Sequence, residues 1–267
     1  MIFDFLGEKQ KAVIAMAHIG AMPGSPLYDA DGGMEKLVAD VLSDIEKLQQ
    51  GGVDAIMFGN ENDRPYLLKA STESIAAMTS IVAAIKPALK VPFGINYLWD
   101  PTASVAIAAA VGASFVREIF TGVFASDMGV WAPDCATPVR MRRNLGCDNI
   151  KLLFNINAEF AHSLDLRPIG LRAKSAVFSS LADAILVSGP ITGQPVDGSQ
   201  LREAVEALEG AVPVFANTGV NIDNVDEVMS VASGCIIGTH FKVDGNTWNP
   251  VDGARVKRFM DKVDGLR

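Results

Sequence analysis

The sequence predicts an α/β fold, a (β/α)8 TIM barrel in which residues 1–267 form a single domain. Eight short apolar runs alternate with eight helix-type segments along the chain. The runs are continuously apolar, as in strands covered on both faces by a barrel interior and an outer layer of helices. The stretch from Val212 to Lys242, VPVFANTGVNIDNVDEVMSVASGCIIGTHFK, closes two such runs with small-residue turns. Between them, Val225, Val228, Met229, Val231 and Ala232 are spaced like one face of a helix. Strand, glycine turn, helix, strand, glycine turn is how the last quarter of such a barrel builds a phosphate cradle. A doubly wound sheet rarely needs eight regular units, and no GxGxxG follows the first run.

The elements follow in order. AVIAMAH, 12–18, is a strand ending on His18, followed by a Gly/Pro/Asp-rich loop. Leu37, Val41, Ile45 and Leu48 make one stripe of a helix from Met34 to Gln50, stopped by Gly51-Gly52. DAIMFGNEND (54–63) is a strand leaving Asn60, Glu61, Asn62 and Asp63 at its end. A helix over Thr72–Leu89, with Thr72 as cap, precedes the strand 91–97 and an alanine-rich helix from Thr102 to Val111. The strand 113–119 runs into the long loop FTGVFASDMGVWAPDCA. Phe124, Met128 and Trp131 make that loop more apolar than a lid requires, which reads in part as a subunit contact of a homo-oligomer. A basic helix (Pro138–Leu145), the strand 150–156, a helix (Pro168–Leu181), the strand 183–189 and a helix (Leu201–Leu208) lead to the closing stretch. A last helix spans Val251–Val263.

Composition sets limits. A net charge of −8 argues against a nucleic-acid surface. Cys135, Cys147 and Cys235 form neither a CxxC pair nor a zinc spacing, which fits a reducing compartment. Asp4 and Glu8 precede the first apolar run, unlike a secretory leader, and no apolar run reaches the roughly 20 residues of a membrane span. The expectation is a soluble, cytoplasmic protein.

In a barrel, polar groups at the C-terminal strand ends face the ligand. They are His18, Asn60, Glu61, Asn96, Arg117, Glu118, Asn155, Ser188, Asn217, Thr218, His240 and Lys242. A solvated strand end explains any one of them; their recurrence on most strands points to a crowded polar site. Glu61 is the candidate general base, since desolvation at a barrel mouth raises a carboxyl pKa toward neutrality. His18 is the second acid–base candidate. Arg117 and Glu118 point to opposite sides of one strand; Arg117 is placed inside, against developing oxyanion charge. Asn96, Asn155, Ser188 and Lys242 are candidate substrate contacts. Asn217, Thr218, Gly219 and Val220, with Gly238 and Thr239, would hold phosphate through backbone N–H groups and a helix N-terminus. The carboxylate supply is too thin for a tight metal site, so no cofactor is required; Mg2+ held loosely by Glu61 and substrate oxygens is the metal reading left open. The segments 22–28 and 190–197 are candidate covers.

MAHIGAMPG, GGVDAIMFGNENDRPY, VPFGINYLWDP, FVREIFTGVFASDMGVW, KLLFNI, ANTGV and FKVDG resemble the BtpA family over nearly the whole chain, and most of all its SgcQ-like bacterial branch. The motif positions correspond to His18, Glu61, Asn96, Asp100, Arg117, Asp127, Asn155, Asn217, Thr218 and Lys242. The resemblance implies a barrel of the ribulose-phosphate-binding type. It also implies a setting among sugar-uptake and sugar-phosphate genes for this branch, and photosystem I biogenesis for the cyanobacterial members. Residues and resemblance together lead to an expected enzyme acting on a small sugar or polyol phosphate by proton transfer, as isomerase, epimerase or lyase. A non-catalytic assembly or stability factor and a phosphate-ligand sensor are the alternatives. Asn62 and Asp63 fall in a stretch variable within the family.

Overall fold

A computed structural model describes residues 3–7 and 9–267; Glu8, cited above against a leader, lies outside them. Eight parallel strands close into a barrel: β1 (Ala12–His18), β2 (Ala55–Gly59), β3 (Phe93–Asn96), β4 (Phe115–Glu118), β7 (Lys151–Asn155), β9 (Ala184–Val187), β10 (Val214–Ala216) and β11 (Gly234–Ile237). Their spatial order is β1-β11-β10-β9-β7-β4-β3-β2, with β2 returning to β1. Most strands are shorter than their apolar runs, because the run continues into the turns.

Alternation explains why both faces of each strand are apolar. On β1, Val13, Ala15 and Ala17 pack against the helices, while Ala12, Ile14 and Met16 join Met57, Phe115, Leu153, Leu186, Phe215 and Ile236 inside the barrel. Gly94 makes room for the Phe115 ring, since a Cβ there would lie 2.2 Å from it. The N-terminal segment plugs the far end: Phe5 stacks on Phe115 with centroids 5.3 Å apart, and Phe3 stacks on Phe5 at 5.1 Å. The C-terminal end is left as the mouth.

The helices are α1 (Gly33–Gln50), α2 (Thr72–Ile85), α3 (Pro101–Val111), α4 (Ala136–Asn144), α5 (Ile169–Ser180), α6 (Gly198–Leu208), α7 (Val225–Val231) and α8 (Gly253–Asp264). The expected stripe of α1 is buried. Side-chain caps set the starts of α2, α3, α6 and, through Asp252, α8. The cap of α2 is Ser71 rather than Thr72, its Oγ accepting from the Ser74 N–H at 3.4 Å. Asp100 caps α3 by accepting from Thr102 and Ala103, and its other oxygen accepts from the Ala70 N–H at 3.0 Å. Asp197 caps α6, starting it three residues before the expected Leu201.

The long loop after β4 departs from expectation. It folds into β5 (Phe124–Ser126) and β6 (Gly129–Trp131), and β8 (Ala161–Ser163) completes a small antiparallel sheet in the order β6-β5-β8. Phe124 and Trp131 are buried against Leu98, Trp99, Ile119 and Ala158, with Met128 packed beside them. Phe124 and Trp131 therefore pack inward rather than forming exposed surface, while Val123 and Val130 keep the outer face of the same loop apolar and exposed. Among the described residues, no helix is long and apolar enough to cross a membrane.

Candidate active site

The mouth holds a cavity of about 220 Å³ lined by strand ends and loops from most of the barrel. His18, Glu61, Arg117, Asn217, Thr218, Gly219, Val220, Gly238 and Thr239 all line it.

Glu61 is the second residue past β2, in a turn pinned on both sides. Asn60 accepts from the Leu98 N–H at 2.8 Å, Asp63 accepts from the Met22 N–H at 2.8 Å, and Asn62 donates to the Ile19 carbonyl at 3.2 Å. The Glu61 side chain folds back over Gly59, where a Cβ would meet its Oε2 at 2.4 Å. That oxygen is buried without a hydrogen-bond partner. Burial raises the Glu61 pKa to about 7, against the opposing pull of its own backbone N–H, Arg117 and Lys242. His18 Nε2 lies 3.7 Å from Glu61 Oε1, beyond hydrogen-bond distance. Burial first, then the Lys242 charge, push the His18 pKa down to about 3, so the imidazole is neutral at pH 7.

Arg117 faces inward on β4, in phase with Phe115, while Glu118 is turned away from the cavity. The guanidinium donates through Nη1 to Asn96 Oδ1 at 2.9 Å and through Nη2 to Glu159 Oε1 at 2.7 Å. Its Nε–H is buried and unpartnered. Asn96 returns its amide hydrogens to the Arg117 carbonyl at 3.0 Å and to Glu118 Oε1 at 2.5 Å. Burial raises the Glu118 pKa to about 8. Asn96 thus holds Arg117 and does not reach the cavity wall.

Asn155 and Ser188 are also set behind the wall. Ser188 Oγ donates to Asn155 Oδ1 at 3.0 Å and accepts from Asn217 Nδ2 at 2.6 Å. The same Asn217 nitrogen donates to Glu159 Oε1 at 3.1 Å. Lys242 is placed elsewhere: its ammonium is buried in an ion pair with Asp44 of α1 at 2.8 Å, and Asp44 also accepts from the Val251 N–H at 2.7 Å. It acts on His18 and Glu61 as a nearby charge and is absent from the cavity lining.

The turn after β10 has Gly219 at φ +65°, and Gln194-Pro195 of the 190–197 cover press against it so closely that a Cβ would lie 2.1 Å from their backbone. Thr218 Oγ1 accepts from the Gly189 N–H at 2.5 Å, and Asn221 and Asn224 both donate to the Gly219 carbonyl. Outside strand ladders, the N–H groups of Gly219, Val220 and Thr239 donate to no acceptor among the described residues. Arg255 lines the same side, its Nε donating to the His240 carbonyl at 2.6 Å. Of the two expected covers, 190–197 reaches the cavity through Thr192 and Gly193; 22–28 does not.

Several lining residues escaped sequence reasoning: Glu159, Tyr66, Trp99 and Arg255. Glu159 binds Arg117, Asn217 and Thr192 together. It sits four residues beyond β7, so a search restricted to strand ends passes over it. The acid in the short loop NINAEF was the available signal. Among the described residues, no three His, Cys, Asp or Glu side chains converge as a metal site.

The chain is 46% identical over 258 residues to the sgc region protein SgcQ of Escherichia coli, covering 97% of this chain and 96% of that one. It is 30% identical over 264 residues to the photosystem I biogenesis protein BtpA of Synechocystis, covering 97% and 91%. Phosphoribosyl anthranilate isomerase from Thermus thermophilus shares the fold with a TM-score of 0.58 at 12% identity, covering 96% of this chain and 100% of that one. The pattern of the BtpA family matches residues 9–265, and the chain belongs to that family.

Proposed function

We propose that the protein is an enzyme that moves a proton on a small phosphorylated sugar or polyol at the barrel mouth. The observation that carries this is the Glu61 carboxyl: it lines the cavity with its side chain 13% exposed, has a pKa of about 7, and stands in a mouth where the N–H groups of Gly219, Val220 and Thr239 donate to no acceptor among the described residues. A general base works best with a pKa near the operating pH. Phosphate would rest on the N–H groups of Gly219, Val220 and Thr239, with Arg255 adding positive charge. Glu61 would then remove a proton from a carbon or hydroxyl of the ligand. His18, neutral, would offer a ring N–H to polarise the adjoining oxygen. Arg117, held in place by Glu159 and Asn96, would direct its positive charge at the oxygen that gains charge. This arrangement suits isomerisation, epimerisation or retro-aldol cleavage.

The test is a panel of pentose and hexose phosphates incubated in D2O and followed by 1H NMR. Loss of a carbon-bound proton signal or formation of an isomer is expected, slowed by about 10²–10⁴-fold in Glu61→Gln. Equal exchange in wild type and variant would overturn the role of Glu61. An assembly role is the second reading, favoured by the name of the Synechocystis relative at 30% identity. It requires that Glu61→Gln and Asn217→Ala leave the cellular phenotype intact.

A further inference from the structure

The cavity has a wall that a sugar phosphate would leave bare. The loops after β2 and β3 bring Tyr66, Leu98 and Trp99 to it, and the loop after β7 adds Phe160. In the barrel order, β3 stands opposite β10 and β2 opposite β9. Tyr66, Leu98 and Trp99 therefore face the Asn217–Val220 turn across the mouth, and Glu61 shares the β2 loop with Tyr66. Phe160, whose N–H donates to the Pro190 carbonyl at 2.9 Å, borders the opening beside the 190–197 cover, and His18 and Arg117 enter from the strands between.

This wall is built to stay in place. Trp99 meets Tyr66 edge-on with centroids 6.0 Å apart and Trp131 edge-on at 5.7 Å, and Trp131 rests on Phe124 at 4.7 Å. The Tyr66 hydroxyl donates to the Glu61 carbonyl at 3.0 Å, tying the wall to the acid–base turn. Trp99 is only 6% exposed, and its indole Nε1–H is shut off from the cavity without a hydrogen-bond partner among the described residues, so the lining it offers is apolar ring rather than donor. Phe160, at the rim, leaves 48% of its surface exposed beside the opening. A fixed aromatic lining and an uncovered ring at the rim suit a flat, unsaturated ligand group. An aliphatic polyol satisfies neither the face nor the rim.

We infer that the ligand is a pentose or polyol phosphate bearing a planar unsaturated ring, its phosphate on the Asn217–Val220 side and its ring against Trp99 and Tyr66, with Phe160 at the rim. This rests on the phosphate reading above and narrows it from sugar phosphates at large to ring-substituted ones. The atoms joining phosphate and ring then lie before Glu61, His18 and Arg117.

The test is calorimetric titration of the full chain with inorganic phosphate, ribose 5-phosphate and uridine 5′-monophosphate. Stacking on an aromatic wall predicts that the uridine compound binds about tenfold more tightly than ribose 5-phosphate. Phe160→Ala, a change at an exposed rim, and Trp99→Leu, checked for folding by circular dichroism, are expected to shrink that preference and leave the affinity for ribose 5-phosphate unchanged. Trp99→Phe keeps an aromatic ring in the wall and is expected to keep most of the preference. If ribose 5-phosphate binds wild type as tightly as the uridine compound, or the preference survives both Phe160→Ala and Trp99→Leu, the ring-binding wall is refuted while the phosphate cradle stands. If none of the three compounds binds, the cradle itself fails and the inference falls with it.

Discussion

Replacing Glu61 with Gln should make the protein more stable at neutral pH while impairing the proposed reaction. The raised pKa, from 4.5 to about 7, means that the fold disfavours the ionised carboxyl. At about 1.4 kcal/mol per pKa unit, holding that charge in the folded state costs about 3 kcal/mol. The direction with pH follows. Between pH 4.5 and about 7 the folded protein binds more protons at Glu61 than the unfolded chain does, so this group lowers wild-type stability as pH rises and contributes no further change above about 7. His18 works in the opposite sense: its pKa falls from 6.5 to about 3, so its contribution to stability rises with pH over that interval. The two oppose each other in wild type, and only the difference between wild type and Glu61→Gln isolates Glu61. Urea unfolding of both proteins at pH 5, 6, 7 and 8 measures that difference. Relative to its value at pH 5, the variant's advantage should grow by about 1.4 kcal/mol per pH unit up to pH 7 and then level off. A difference that does not change with pH, or a wild type that gains on the variant as pH rises, would refute the argument that burial holds this carboxyl near neutrality.

Three further outcomes follow from the geometry. Lys242→Met strands the Asp44 carboxylate in a site where both side chains are almost fully buried, and should cost about 3–5 kcal/mol in urea unfolding. Gly219→Ala places a Cβ 2.1 Å from the Gln194-Pro195 backbone at a positive φ, so the cover must shift and the affinity for inorganic phosphate should fall in calorimetry. Asn96→Ala removes the acceptor that fixes Arg117 Nη1, and should lower kcat on any substrate found by the D2O panel more than it raises KM.

The strands were legible because each is buried on two faces, and that burial writes itself into the chain as an unbroken apolar run. The stripe of α1 and the glycine turns after β10 and β11 were legible because the period of a helix and the φ of a turn are local properties. The sheet of β5, β6 and β8 was not: each strand is only three residues long, and β8 reaches β5 from more than thirty residues away. Phe124 and Trp131 accordingly looked like spare apolar surface until their partners Leu98 and Trp99 were in place.

The same division runs through the site. Alternation along β4 dictates that Arg117 and Glu118 face opposite ways, yet nothing local decides which faces in; the closed barrel does, by setting Arg117 in phase with Phe115. The sequence by itself determined the barrel, the strand-end position of Glu61 and His18, and the small-residue turns of the cradle, since each depends on residues close together in the chain. Only the tertiary structure decided that Lys242 belongs to Asp44, 198 residues away. It also decided that Glu159 holds Arg117 and that Trp99 and Tyr66 wall the cavity opposite the cradle. Partnerships between distant loops arise when the barrel closes, and no local pattern records them.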